Sequence, residues 1–197
     1  MKVYFVEDWL DGLYLGVQIE SVVYTTRTKF QELAIFDTCE FGRMLTLDNV
    51  IQVTEVDEYI YHECIAHVPL LSHPDPKKVL LIGGGDGGTL REITRHQNIE
   101  SITMVDIDEG VIEASKKYLP GFNQGFYDPR LNLVIQDGSV FVSETEERFD
   151  VIIIDSTDPE GPGEVLFTTE FYQSLRRLLT PSGIMCAQTE SPLVMTQ

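Results

Sequence analysis

Five aspartates follow four apolar runs in the second half of the sequence, and they are the residues best suited to chemistry. They are Asp86, Asp106, Asp137, Asp155 and Asp158. A carboxylate can accept a proton, bind a cation or receive hydrogen bonds from hydroxyl and amino groups. The short segments that contain these aspartates hold no Lys or Arg. A site that gathers them would therefore repel an anionic substrate and favour a cationic one.

A glycine-rich segment, residues 83–88 (GGGDGG), follows the apolar run 79–82 and precedes a helical pattern. This context is typical of nucleotide-binding loops, although a tight strand-to-helix turn explains the same glycines. The loop contains Asp86 and no Lys, which disfavours a dinucleotide or triphosphate and favours a nucleoside without phosphates. Magnesium is the obvious alternative occupant of an acidic crevice, but such a pocket gives a metal little to do, and we expect none.

Two of the other aspartates suit the remaining parts of a nucleoside. Asp106 lies eighteen residues after Gly88 at the end of the next apolar run. An acid at this place usually accepts the ribose hydroxyls, although it could instead cap the following helix. Asp137-Gly138 ends the third run and could accept a hydrogen bond from an adenine amino group, with an ordinary turn as an equal alternative.

The elements that must position these residues begin at Lys77, where short apolar runs start to alternate with amphipathic stretches. Repeated strand and helix patterns with continuous apolar strands predict an α/β, Rossmann-like doubly wound sheet with helices on both faces. Ligands of such sheets lie at the carboxyl ends of the strands, where the aspartates fall. The predicted strands are 79–82, 102–105, 131–135, 151–154 and 184–187, and the predicted helices are 89–96, 109–118, 138–145 and 168–179.

The first part of the chain has a different pattern. Residues 1–53 alternate β-branched and aromatic residues with short turns, including Asp48-Asn49, and predict a small N-terminal all-β domain. Residues 54–76 predict a helix and linker, with Thr54 opening the helix and Asp57 as the acidic half of a capping box. Pro69 and the cluster His73-Pro74-Asp75-Pro76 are predicted to end it. The predicted buried stripe of this helix is Val56, Ile60, Cys64 and Val68. Residues 77–197 form the predicted nucleoside-binding catalytic domain.

Composition excludes several classes of partner. The 197 residues include 14 Lys and Arg against 32 Asp and Glu, a formal net charge of −18. Nucleic acid and anionic membrane surfaces attract cationic proteins, so neither is expected as a partner. The three cysteines are far apart and odd in number, and no apolar run reaches the length of a membrane span, so we expect a cytoplasmic protein.

The motifs taken together closely resemble the polyamine aminopropyltransferases, the spermidine synthases. The resemblance lies in GGGDGG, VDIDEGVIEASKKYLP, QDG and DSTDPEGPGEVLF, and in the upstream segment FQELAIFDTCEFGRMLTLDNVIQVTEVDEYIYHE. It implies transfer of the aminopropyl group of decarboxylated S-adenosylmethionine to a diamine, putrescine first among them, which gives spermidine and methylthioadenosine. It further implies no metal, no permanently bound cofactor, and a homodimer or homotetramer joined partly through the N-terminal β domain.

The resemblance also implies roles for individual residues. Asp155 matches the catalytic base of the family, and Tyr61 matches a tyrosine that helps Asp155 to orient the attacking nitrogen. Matches to the nucleoside-binding residues are Gln31, Gly83, Gly85, Asp106, Ile107, Asp137, Gly138 and Pro162. Matches to the residues that hold the amine and the aminopropyl chain are His62, Asp86, Asp155, Ser156, Thr157 and Asp158.

Two alternative functions stay open at the sequence level. Family members usually continue beyond the position equivalent to residue 197 with further helices and two strands, so the C-terminal strands of the family are expected to be missing from this chain. A truncated homologue could bind polyamine or methylthioadenosine without catalysis. An S-adenosylmethionine-dependent methyltransferase of the same fold is disfavoured, because Asp86 would repel the carboxylate of ordinary S-adenosylmethionine.

Overall fold

The computed structural model describes residues 2–10, 12–157 and 161–189, and their backbone forms two five-stranded sheets. The first sheet is antiparallel, with strands in sequence order. Its strands are β1 (Val3–Leu10), β2 (Leu13–Arg27), β3 (Glu32–Thr38), β4 (Arg43–Leu47) and β5 (Val50–Thr54). Asp48 and Asn49 both have positive φ, 46° and 66°, and join β4 to β5 in the predicted two-residue turn.

Helix α1 (Glu58–Ser72) connects the two sheets, and it differs from the sequence prediction in three respects. Thr54 stays in β5, and its hydroxyl donates to the carboxylate of Asp57, the residue that precedes the helix. Asp57 is the N-cap residue, and its side chain makes no capping hydrogen bond, so the predicted capping box is wrong. The first turn of α1 therefore begins four residues later than predicted. Pro69 lies inside the helix and does not end it, but the helix ends at Ser72, directly before the predicted cluster at His73.

The predicted buried stripe of α1 is also wrong. Val56, Ile60 and Val68 are 54%, 60% and 61% exposed, and Cys64 is exposed as well. The buried face includes Glu58 and His62, which pair with Arg91 and Asp86 from the neighbouring segment. These pairs give the charged side chains partners on a face that also contributes apolar residues to the core. The other buried residues of α1 are Ile65, Ala66, Pro69 and Leu70.

The second sheet is parallel and confirms the predicted Rossmann-like class. Its strand order is β10-β9-β6-β7-β8, with β6 at the centre. Its strands are β6 (Lys78–Gly83), β7 (Ser101–Asp106), β8 (Leu131–Ile135), β9 (Phe149–Asp155) and β10 (Leu179–Ala187). Its helices are α2 (Gly88–Thr94), α3 (Glu109–Tyr118), α4 (Gly138–Glu144) and α5 (Thr169–Leu178). Two 3₁₀ segments lie at Asn123–Tyr127 and Gly161–Phe167.

The core fills both faces of this parallel sheet. One apolar cluster joins α1, α2 and α3 to the sheet, and a second lies on the face covered by α4 and α5. Strand β10 begins at Leu179, five residues before the predicted strand, because Leu179 already pairs with Phe149 before a shift in register. Among the described helices, none combines the length and the apolar character needed to cross a membrane.

A third apolar cluster fastens the antiparallel sheet to α3. Leu33, Ile35 and Leu45 of the first sheet pack with Val111 and Ala114 of the helix, and all five are buried. This contact holds the segment between β2 and β3 over the carboxyl ends of the parallel strands. Strand order reverses around β6, and the crevice at such a reversal is the usual ligand site of an open α/β sheet.

Candidate active site

A cavity of about 280 Å³ lies between the two sheets at the carboxyl ends of β6, β7 and β9. The antiparallel sheet supplies one wall, which includes Leu45, Leu47 and Ile51, and the parallel strand ends supply the other. Every predicted site residue whose side chain the structure describes lines this cavity. They are Gln31, Tyr61, His62, Gly83, Gly85, Asp86, Asp106, Ile107, Asp137, Gly138, Asp155, Ser156 and Thr157. Asp158 and the side chain of Pro162 lie outside the described part.

The glycine-rich loop brings the ends of β6 and β9 into direct contact. Gly83 has φ of +82°, and a Cβ on it would lie 2.1 Å from the carbonyl oxygen of Asp155. The N–H of Gly84 donates to that same carbonyl at 2.8 Å. Only glycine permits this approach at position 83 without displacement of the backbone. The loop thereby fixes where the side chain of Asp155 leaves the sheet.

Asp86 is held at the start of α2 by a chain of polar contacts. Its Oδ1 accepts from the N–H of Gly88 at 2.6 Å and lies 3.3 Å from Nε2 of His62. Burial is the largest influence on the pKa of Asp86 and would raise it, but the charge and hydrogen bond of His62, the N–H of Gly88 and the charge of Arg91 together lower it. Burial opposes the charge of His62, but Asp86, Asp155 and Glu58 together outweigh burial and raise the pKa of His62 to about 9. Both groups are therefore charged at neutral pH.

Glu58, one turn before His62 on α1, completes this chain. Its Oε2 lies 2.6 Å from Nδ1 of His62, and its two oxygens each accept from Nη2 of Arg91 at 2.9 Å. Sequence reasoning did not single out Glu58. The signal was the four-residue spacing from His62, which places the two side chains on one helix face.

Asp155 lies opposite the polar contacts among Asp86, His62 and Glu58, and its carboxylate retains affinity for a proton. The hydroxyl of Tyr61 donates to its Oδ1 at 2.6 Å. Among the described residues, none donates a hydrogen bond of ordinary geometry to the buried Oδ2 of Asp155. Burial raises the pKa of Asp155, and repulsion by Asp86 adds to the effect. Burial and the charge of Asp155 raise the pKa of Tyr61 as well, so the phenol stays protonated and donates.

The other half of the cavity contains Asp106 and Asp137, which the family resemblance assigns to the nucleoside. Oδ1 of Asp106 accepts from the N–H of Asp108 at 2.8 Å. Asp137 caps α4, where its Oδ1 accepts from the N–H and the hydroxyl of Ser139 at 2.7 and 2.6 Å. Asp137 can cap α4 with Oδ1 and still accept from an adenine amino group as predicted, because its carboxylate has a second oxygen.

Acid is expected to weaken nucleoside binding through Asp106. Burial raises the pKa of Asp106 to about 7. The family resemblance implies that ribose hydroxyls donate to this carboxylate when it is ionised, so below its pKa the group would have to lose a proton on nucleoside binding. Affinity for methylthioadenosine should stay constant above pH 8 and fall about tenfold per unit below pH 6.

Calorimetry at a series of pH values measures this dependence. The change Asp106→Asn should lower the affinity and remove its pH dependence in this range, because the amide does not titrate. As a control, Asp75→Asn changes an exposed carboxylate outside the cavity and should leave the wild-type profile intact. A flat wild-type profile from pH 5 to 8 would contradict the assignment of Asp106.

The acidic end of the cavity is suited to a cation. His62, Asp86 and Asp155 each offer one ligand atom, and these atoms lie within 4.8 Å of one another. A metal would require the ring of His62 to give up the proton that Asp86 and Glu58 stabilise. An ammonium group requires no such change, because it donates hydrogen bonds to the two carboxylates directly.

Comparison with known proteins agrees with this geometry. The family profile described as the spermine/spermidine synthase domain matches residues 58–197, and the spermidine synthase tetramerisation domain matches residues 3–55. The chain belongs to the spermine/spermidine synthase family. A polyamine aminopropyltransferase of Desulforudis audaxviator is 50% identical over 196 residues, which are 100% of this chain and 71% of that protein. Polyamine aminopropyltransferase 1 of Pseudomonas aeruginosa is 52% identical over 195 residues, which are 96% of this chain and 68% of that protein.

Solved structures of spermidine synthases have the same architecture. A spermidine synthase in complex with the transition state analogue AdoDATO superposes with a TM-score of 0.94 at 44% identity. The spermidine synthase from Thermotoga maritima superposes with a TM-score of 0.90 at 41% identity. Both comparisons cover 98% of this chain, but they cover 66% and 65% of the other chains. This member of the spermine/spermidine synthase family thus spans about two thirds of the length of its solved relatives.

Proposed function

We propose that this protein transfers the aminopropyl group of decarboxylated S-adenosylmethionine to putrescine, giving spermidine and methylthioadenosine. The observation that carries the proposal is the position of Asp155. This carboxylate accepts a hydrogen bond from the hydroxyl of Tyr61. One of its oxygens lies within 4.8 Å of a carboxylate oxygen of Asp86, and Asp106 lines the same cavity. A base for an amine, a site for a cation and a site for ribose are therefore adjacent.

The reaction is a single displacement in which Asp155 removes a proton. A primary nitrogen of putrescine forms a bond to the carbon next to the sulfonium sulfur. The carbon–sulfur bond breaks, and its electron pair stays on sulfur, which becomes the neutral thioether of methylthioadenosine. The proton leaves the nitrogen for Asp155, whose raised pKa suits it to this role. Asp86 offsets the positive charge that both reactants bring, and the cavity supplies rate mainly by positioning.

Asp86 also supports the choice of the decarboxylated donor. The described end of the pocket contains the carboxylates of Asp86 and Asp155 against the single imidazolium of His62, which already pairs with Asp86. We therefore expect this end to disfavour the carboxylate of ordinary S-adenosylmethionine. The decarboxylated form carries an ammonium and lacks that carboxylate. We therefore propose aminopropyl transfer rather than methyl transfer, with no metal and no permanently bound cofactor.

The proposal is tested by product analysis on the chain of 197 residues. Incubation with decarboxylated S-adenosylmethionine and putrescine should form methylthioadenosine and spermidine in equal amounts, measured by mass spectrometry. Binding of methylthioadenosine without turnover would instead favour a non-catalytic module. Tight binding of ordinary S-adenosylmethionine with methyl transfer would favour a methyltransferase.

The phenol of Tyr61 is expected to contribute to catalysis by holding Asp155. Tyr61→Phe keeps the ring and removes the hydroxyl that donates at 2.6 Å. Hydrogen bonds to charged groups contribute about 1.5–3 kcal/mol, so kcat should fall roughly ten- to a hundredfold. Steady-state kinetics of methylthioadenosine release measures the effect.

Tyr59→Phe is the matched control, because Tyr59 lies on the same helix and is 51% exposed. That variant should keep the wild-type kcat. An equal loss in both variants would mean that the effect comes from α1 as a whole and not from the contact with Asp155.

We also propose that the protein acts in the cytoplasm as a homodimer or homotetramer. The match of residues 3–55 to the tetramerisation domain supports assembly through the antiparallel sheet. Cys39, Cys64 and Cys186 are free thiols, which supports a reducing compartment.

A further inference from the structure

Asp108 lies where the two sheets meet, in the wall of the cavity. It is 3% exposed, and its Oδ1 accepts from the N–H of Gly110 at 3.0 Å as the N-cap of α3. Its Oδ2 accepts from the hydroxyl of Thr28 at 2.6 Å and from Nε2 of Gln31 at 2.9 Å. One buried carboxylate thus joins the first helix turn after β7 to the segment between β2 and β3.

The segment 28–31 is itself ordered around the same contact. The hydroxyl of Thr28 accepts from the N–H groups of Phe30 and Gln31, each at 3.1 Å, while it donates to Asp108. This arrangement fixes the backbone at Gln31 independently of the side chain of that residue. Gln31 reaches the cavity from the antiparallel sheet, which is the wall opposite the glycine-rich loop.

The contact with Asp108 determines which end of the Gln31 amide a ligand meets. A carboxylate can only accept hydrogen bonds, so the amide must turn its NH₂ group toward Asp108. Oε1 is then the atom that Gln31 offers to a ligand, and it can accept from a hydroxyl or an ammonium. The backbone N–H of Asp108 simultaneously holds Asp106, so this residue fixes two acceptors that come from different sheets.

We infer that Asp108 is a positioning residue for the nucleoside substrate, which fixes Gln31 as a hydrogen-bond acceptor by binding its amide NH₂. The inference rests on the proposed function, because the proposed nucleoside is the ligand that Gln31 and Asp106 would share. Asp108 acts through Gln31 and need not touch the substrate itself.

An exchange of partners between positions 31 and 108 tests the inference. Asp108→Asn keeps the N-cap, since Asn caps helices as well as Asp, but it turns a donor toward Gln31 and forces the amide to reverse. Gln31→Glu places two carboxylates against each other. Each single change should weaken methylthioadenosine binding about tenfold, the loss expected for one misplaced hydrogen bond. The double variant Gln31→Glu/Asp108→Asn restores the donor–acceptor pair between these two residues, but not the oxygen that accepts from the hydroxyl of Thr28. It should therefore bind methylthioadenosine at least about threefold more tightly than either single variant.

Calorimetry with methylthioadenosine is the readout, and Glu109→Gln is the control because it removes a neighbouring carboxylate from the first turn of α3. Recovery in the double variant is a result that a merely structural Asp108 would not give. Losses that multiply to about a hundredfold in the double variant would overturn the inference, and so would wild-type affinity in Asp108→Asn.

Failure of the proposed function has a different outcome. A wild-type chain that binds methylthioadenosine but forms no product would refute the transferase proposal, and the exchange experiment would remain interpretable. With an active chain, KM for the nucleoside substrate should rise in Asp108→Asn, while kcat at saturation and KM for putrescine stay near their wild-type values.

Discussion

Asp155→Asn is expected to reduce kcat by about three orders of magnitude, in the middle of the range for removal of a general base. Asparagine has the shape of aspartate and can still accept from the hydroxyl of Tyr61. It cannot take the proton from the attacking amine, and it no longer shares the negative charge of the cavity with Asp86. Binding of methylthioadenosine, which carries neither the amine nor the sulfonium charge, should change by less than about threefold.

Asp75→Asn serves as the control for this change, since Asp75 is an exposed carboxylate that pairs with Lys77 outside the cavity. Single-turnover kinetics should separate the chemical step from product release. If Asp155→Asn retained turnover within tenfold of the wild type, another group would have to accept the proton, and the mechanism proposed above would be wrong.

Gly83→Ala is expected to cause the largest loss of stability. Its φ of +82° disfavours any side chain, and the new Cβ would lie 2.1 Å from the carbonyl oxygen of Asp155. The backbone at the end of β6 or β9 would have to move, which displaces Asp155. We expect the free energy of unfolding to fall by at least about 3 kcal/mol, and the melting temperature to fall by roughly 6–12 °C.

Gly12→Ala separates the two causes of this loss. Gly12 has nearly the same φ, +84°, but a Cβ there would meet nothing within 4 Å. The control should therefore cost only the conformational penalty of about 1–2 kcal/mol and leave turnover unchanged. Thermal unfolding followed by circular dichroism compares the two variants. Equal losses would show that backbone conformation, and not contact with Asp155, governs position 83.

The parallel sheet and the convergence of the aspartates could be predicted from sequence for one physical reason. Carboxyl ends of parallel strands meet at one edge, so residues that follow apolar runs become neighbours even when they lie far apart in the chain. Asp86, Asp106, Asp137 and Asp155 line one cavity as this rule predicts. The rule needs only strand boundaries, which continuous apolar runs define well.

Helix α1 shows where the same reasoning failed. Periodicity assumes that the buried face is the apolar face, but Val56 and Ile60 are exposed while Glu58 and His62 are buried. The polar side chains are buried because Arg91 and Asp86 are placed to pair with them. Such partners are fixed by tertiary structure and leave no periodic signal. For the same reason the pattern did not reveal Asp108 as the partner of Gln31. The four-residue spacing does place Glu58 beside His62 on α1, but it does not indicate that both side chains are buried.

The cavity walls come from two separate sheets, and this makes a bound nucleoside a link between them. Unfolding of either sheet would require release of the ligand, so the free energy of unfolding of both sheets would depend on the ligand concentration. A ligand that binds only the folded chain at about a hundred times its Kd adds about 2.7 kcal/mol to the free energy of unfolding. If the chain binds a nucleoside as proposed, its resistance to proteolysis would rise with the concentration of that ligand.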